Sequence, residues 1–159
     1  MIIYCATDIN VVIPFEHLNG ISLENLNLHR ANLEDADLTG SSFKNSNLRG
    51  AILFNAKMNG CNLESANLIV ADLRNTDLSN AVLKNSTSIS TLFENANLQN
   101  ANFEGANIEG ANFRNANLKG ANFEYVLGIE NAIFEKAVFD TKTKWPEYFN
   151  VKNSSDEQK

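Results

Sequence analysis

The 159 residues suit a single domain, and a formal charge of −6 disfavours direct nucleic-acid binding, which calls for a basic patch. That balance leaves open an acidic protein that imitates nucleic acid. Two cysteines, Cys5 and Cys61, build no disulfide framework, so a reducing, cytoplasmic setting is expected, and no apolar run nears the ~18 residues of a membrane span.

The chain opens with "MIIYCATDINVVIPF", which has no basic leader and is interrupted by Asp8, so no signal peptide is expected. Residues 1–15, through Ile2, Ile3, Val11, Val12, Ile13 and Phe15, are expected to form an N-terminal cap or first strand.

From Leu18 to Phe123 a five-residue period takes over. Of 22 centres, 14 are Leu and five are Phe, with Met58, Ile108 and one exception, Ser88. Two residues before the centre stands Ala in 13 cases, and Ser, Thr or Cys in six more. The residue just before the centre is Asn or Asp in 14, and two residues after it Gly or Asn stands in 16. A large and a small residue two apart point to one side of an extended segment. Gly and Asn suit corners that need a positive φ. A helix is excluded, because a five-residue step turns by ~140° and scatters the centres around the cylinder.

Four equal corners close a coil of 20 residues, which places Leu23, Phe43, Leu63, Leu83, Phe103 and Phe123 in one inward column. The residues just after the centres test this independently. Glu24, Lys44, Glu64, Lys84, Glu104 and Glu124 alternate in sign for most of their length, and Arg74, Glu94 and Arg114 align likewise. A third outer column, Thr39, Asn59, Ser79, Gln99 and Lys119, is almost uncharged.

The units "ANLEDADLTG", "ANLQNANFEG" and "ANFRNANLKG" resemble the A(D/N)LxX repeats of the pentapeptide-repeat family. The resemblance spans about residues 16–139 and implies an all-β fold, a right-handed quadrilateral β-helix of about six coils with terminal caps. Better-understood members protect or inhibit DNA gyrase by resembling DNA. Others are bacterial, particularly cyanobacterial, proteins of regulatory or unknown role.

Irregularities are expected near residues 84–92, where either Ser88 faces inward or a bulge turns Ile89 in, and near 125–131, where one extra residue by Gly128 shifts the register. Residues 140–151, with Trp145, Pro146, Tyr148 and Phe149, read as a C-terminal cap, and 152–159 as a disordered tail.

Nothing along the chain reads as catalytic. His17 and His29 lack companions at ligand spacing, Cys61 falls at a small inward position, and "EDADLTG" fails as a calcium loop because Ser46 stands where a bidentate Glu is required. No cofactor, no metal and no enzymatic activity are expected, and function falls to the outer surface. The leading expectation is a protein-interaction or regulatory scaffold with a protein partner, homo-oligomerisation being left open. Its candidate patch is Ile52, Phe54, Ile69, Val70, Ile89 and Leu92, apolar residues at outward positions around one corner. The alternative is a DNA mimic acting on gyrase or another DNA-binding protein through Glu34, Asp35, Asp37, Asp72 and Asp77. A structural spacer is the third reading.

Overall fold

The computed structural model describes Ile2–Ile3, Val11–Val12 and residues 17–149. Ile2–Ile3 (β1) pairs antiparallel with Val11–Val12 (β2), Ile2 opposite Val12. The rest of the expected N-terminal cap, Ile13 and Phe15 included, and the tail expected over 152–159 lie outside the described residues.

From residue 17 onward the backbone is a four-sided β-solenoid, and each side of each coil contributes one bridging residue to a parallel ladder. The first face stacks Ser22, Ser42, Asn62, Val82, Asn102 and Asn122, and the second stacks Asn27, Asn47, Asn67, Thr87, Asn107 and Leu127. Asn32, Ile52, Asp72, Leu92, Asn112 and Ile133 form the third face; Asp37, Lys57, Asp77, Asn97, Asn117 and Val138 form the fourth. Each rung is closed by two backbone bonds: Leu33 N–H donates to the Ile52 carbonyl at 2.8 Å, and Ile52 N–H to the Ala31 carbonyl at 2.9 Å.

The corners follow from one backbone device. Ala51 N–H donates to the Leu48 carbonyl at 3.0 Å across Arg49 and Gly50, and Gly50 has φ 64°. A turn closed in this way with positive φ at its third residue is of type II, which explains the Gly and Asn. In the first coil Ile21 and Leu26 occupy the small position, and the direct bond is replaced. Leu26 N–H donates to Ser46 Oγ at 3.0 Å, and that hydroxyl donates to the Leu23 carbonyl at 2.6 Å.

The interior is a continuous and mainly apolar core. Leu23, Phe43, Leu63, Leu83, Phe103 and Phe123 are all buried in one column, as the register requires. In the later coils the core is aromatic: Phe93 and Phe113 stack at 4.9 Å, Phe103 and Phe123 at 4.9 Å, and rings of the two columns meet edge to face at about 5.6 Å.

Two irregularities take different forms. At Ser88 there is no bulge: the Thr87–Asn107 bridge keeps its 20-residue spacing, and Ser88 faces inward, buried, against Ser86 Oγ at 3.0 Å. Near Gly128 the ladder does lengthen, from Asn107–Leu127 to Asn112–Ile133, and the extra residue is absorbed by a 3-10 turn, Ile129–Asn131. Gly128 is required there, because a Cβ would lie 2.6 Å from Glu109 Cβ and φ is 73°. The ladder then continues past Phe139 to an Asn122–Lys144 bridge, with a second extra residue accommodated at the Asp140–Thr143 turn. Trp145 accordingly ends the Phe103–Phe123 column, stacking on Phe123 at 5.0 Å. Among the described residues no helix is long and apolar enough to cross a membrane.

Candidate protein-interaction surface

On a solenoid the interior belongs to folding, so the outer positions where the repeat departs from its own rule are where a binding surface is legible. The rule on the faces is an Asx turn. Asn32 Oδ1 accepts Glu34 N–H at 3.1 Å, Asp72 Oδ1 accepts Arg74 N–H at 3.2 Å, and Asn112 Oδ1 accepts Arg114 N–H at 3.0 Å. At the corners asparagines form amide ladders, Asn115 to Asn95 to Asn75 to Asn55, at 3.1–3.2 Å. Most of the surface is thus occupied with holding the coil.

Ile52 and Leu92 offer no acceptor for such a cap. Both lie on the third face, with Asp72 between them. Val82 makes the same departure on the first face but stands alone there. Ile69, Val70 and Ile89 line the second corner, which leads into the third face, and Phe54 lies at the third corner, beyond it. The fold therefore brings five of the six patch residues together on one corner and its adjoining face. Phe54 is held apart, with the Arg74 guanidinium 5.5 Å from its ring centre. Arg74 also pairs with Asp72 at 2.7 Å, and this bond holds the Asp72 carboxyl below the usual carboxylate range. Ile52 is 41% exposed and Val70 51%.

Val70 has φ 52°, and among the described positive-φ residues it alone is β-branched. A β-branched side chain is strained in the left-handed region, at a cost of order 1–3 kcal/mol.

The acidic candidates also gather around one corner, with Glu34 and Asp35 at the third corner, Asp37 and Asp77 on the fourth face and Asp72 on the third. They do not make a continuous acidic surface. Lys57 is the rung between Asp37 and Asp77, and Asp72 is bound by Arg74.

Five ion pairs form among the described residues. At the first corner Lys44 binds Glu64 (3.0 Å) and Lys84 binds Glu104 (3.2 Å), so the alternation read from the sequence pairs as doublets, and Lys144 reaches Glu124 from the first face (3.0 Å). At the third corner the aligned Arg74, Glu94 and Arg114 do not pair with one another. Arg74 turns to Asp72 and Arg114 to Glu135, while Glu94 accepts from the Asn112 amide at 2.6 Å. The column is as read, but Asp72 and Glu135 offer these arginines better geometry. Glu94 Oε2 is buried without a hydrogen-bond partner among the described residues.

The fourth outer column, at the second corner, runs His29, Arg49, Ile69, Ile89, Glu109. Neither Arg49 nor Glu109 has an ion-pair partner among the described residues. These flanking charges are absent from the sequence-read candidates, although the 20-residue register alone aligns them. A second apolar area at the C-terminal end, a cleft between Tyr125, Trp145 and Tyr148, was not legible, since it needs the coil to continue past Phe139. Among the described residues no cluster of His, Cys, Asp or Glu could hold a metal ion, and Cys61 is buried with its thiol pushed up to about 12 by burial.

A four-sided β-solenoid with five-residue sides, a closed apolar interior and its chemistry displayed outside is the class these features define. The pentapeptide repeats model matches eight copies over residues 17–53, 46–85 and 90–125, more than half of the chain. The chain belongs to the pentapeptide repeat family. Among solved structures it is similar to a pentapeptide repeat protein of the Arabidopsis thaliana thylakoid lumen (30% identity, 69% of this chain and 66% of that one, TM-score 0.41). It is also similar to HetL of the cyanobacterium Nostoc sp. strain PCC 7120, a protein involved in heterocyst differentiation regulation (20% identity, 82% and 83%, TM-score 0.44). A third is QnrB1, a plasmid-mediated fluoroquinolone resistance protein (18% identity, 78% and 84%, TM-score 0.36). The chain spans about two thirds of the Arabidopsis protein, and no curated protein matches it.

Proposed function

We propose that this chain is a non-enzymatic protein-interaction module, working in the cytoplasm, whose binding surface is the second corner and third face at Ile69, Val70, Ile89, Ile52 and Leu92. The observation that carries this reading is Val70. It stands where the repeat mainly places Gly or Asn, and its backbone is strained to display an isopropyl group that is half exposed. The core gains nothing from it, because Leu68 and Ala71 already fill the interior beside it. Ile52 and Leu92 likewise forgo the Asx cap that Asn or Asp would supply. Apolar side chains displayed outward at such a cost support a contact site.

The DNA-mimic reading requires a continuous acidic face, and Lys57 and Arg74 interrupt the one that the sequence suggested. Added protein is accordingly expected to leave gyrase supercoiling unchanged. The interaction reading is tested by capture from a bacterial extract with wild type and an Ile69→Lys/Val70→Asn variant. Loss of a partner with an unchanged melting temperature, or a raised one, supports it; full retention of every captured protein overturns it. Phe54→Glu is the comparison variant, expected to have less effect because Arg74 covers that ring.

A further inference from the structure

The second corner differs from the other three in the order of its side chains. The first and third corners carry charges that pair within the chain, and the fourth is nearly uncharged. At the second, four successive coils present Arg49, Ile69, Ile89 and Glu109: cation, apolar, apolar, anion. The sequence is symmetric in hydrophobicity about its midpoint and antisymmetric in charge. Both ends are reinforced. Arg30 adds a cation one coil below Arg49, and the turn that begins at Gly128, against Glu109, adds Glu130.

That order is the condition for self-pairing about a two-fold axis. We propose that this ridge docks a second copy of the chain, side by side and antiparallel, with the axis between Ile69 and Ile89. The proposal rests on the reading of this surface as protein-binding and names its partner. Rungs lie ~4.8 Å apart, so Arg49 and Glu109 are ~14 Å apart along the ridge, each ~7 Å from the axis. Inverting one copy sets Arg49 opposite the second copy's Glu109, Glu109 opposite its Arg49, and the isoleucines against one another. A parallel arrangement sets Arg49 on Arg49 and Glu109 on Glu109, and like charges oppose it. The two-fold arrangement is isologous and closes at two copies. One ridge is small for an interface, so self-association is expected at ~10–100 µM and is expected to weaken with salt.

Sedimentation equilibrium over ~5–500 µM at low salt tests the proposal by charge exchange. Wild type is expected to reach a dimer. Arg49→Glu alone and Glu109→Arg alone are each expected to weaken it at least ~10-fold, because like charges then face across the axis. The two single variants mixed in equal amounts should form a heterodimer of wild-type strength, and the doubly exchanged chain should regain the homodimer. Melting curves for each variant, all changed at exposed positions, check that the fold is intact. Single variants that dimerise as well as wild type, or a mixture that fails to restore association, overturn the proposal. So does a wild type that stays monomeric, and that result leaves the protein-interaction reading to its own capture experiment with the Ile69→Lys/Val70→Asn variant.

Discussion

Phe103 and Phe123, one coil apart, lie with ring centres 4.9 Å apart and planes 8° from parallel. The same offset repeats from Phe93 to Phe113 and from Phe123 to Trp145. The rings stack because the 20-residue coil returns the chain to the same place, and the backbone ladder fixes the spacing within reach of aromatic contact. Phe103→Ala should therefore cost about 3–5 kcal/mol of stability, read as a lower denaturation midpoint. Glu104→Gln, next to it in sequence, removes only a half-exposed pair with Lys84 and should change stability by less than about 1 kcal/mol.

Ser88 interrupts an inward column between Leu68 and Ile108, and among the described residues its hydroxyl is matched only by Ser86. Replacing both with the residues that the repeat favours, Ser86→Ala with Ser88→Leu, should stabilise the fold by about 1–3 kcal/mol. Ser88→Leu alone should gain less, because Ser86 then loses its partner. Chemical denaturation of the three chains distinguishes these cases, and a double variant no more stable than wild type refutes the expectation.

Val70→Asn places a residue tolerant of positive φ at a corner that now strains a β-branched one. Stability should rise by about 1 kcal/mol while association through the ridge falls. A variant that loses stability shows the valine to be structural.

The Cys61 thiol, ordinarily near 9, is pushed up to about 12, chiefly by burial, with its Sγ donating to the Leu38 carbonyl. A Cys5→Ser chain should react with a thiol reagent only after unfolding. Because the folded-state value is raised, the protonated thiol favours the fold fully below pH 9, and that contribution is lost as pH climbs through about 12. Cys61→Ser, which keeps a donor for Leu38, should flatten the fall in stability over that window relative to the cysteine chain.

The sequence alone determined the coil. Every centre from Leu18 to Phe123 except Ser88 is large and apolar, the corners are mainly Gly or Asn, and charges recur in 20-residue register, so one local rule dictates the fold. A solenoid contacts only its neighbours, and a local rule suffices for it. The inward columns, the extra residue near Gly128 and the grouping of Ile69, Val70 and Ile89 were all legible for this reason. Tertiary structure decided what the rule leaves free. It chose Ser88 over Ile89 for the interior, because the backbone ladder on either side holds the register and two serines can satisfy each other. It carried the ladder beyond Phe139 to Lys144, where the sequence no longer repeats but the backbone bonds to Asn122 still form. It sent Arg74 to Asp72 and Arg114 to Glu135 rather than to Glu94, since a long side chain on an exposed corner selects its partner by geometry and not by column. The charges at Arg49 and Glu109 have no ion-pair partner among the described residues, because the corner between them presents Ile69, Val70, Ile89 and Ser90, none of which is charged.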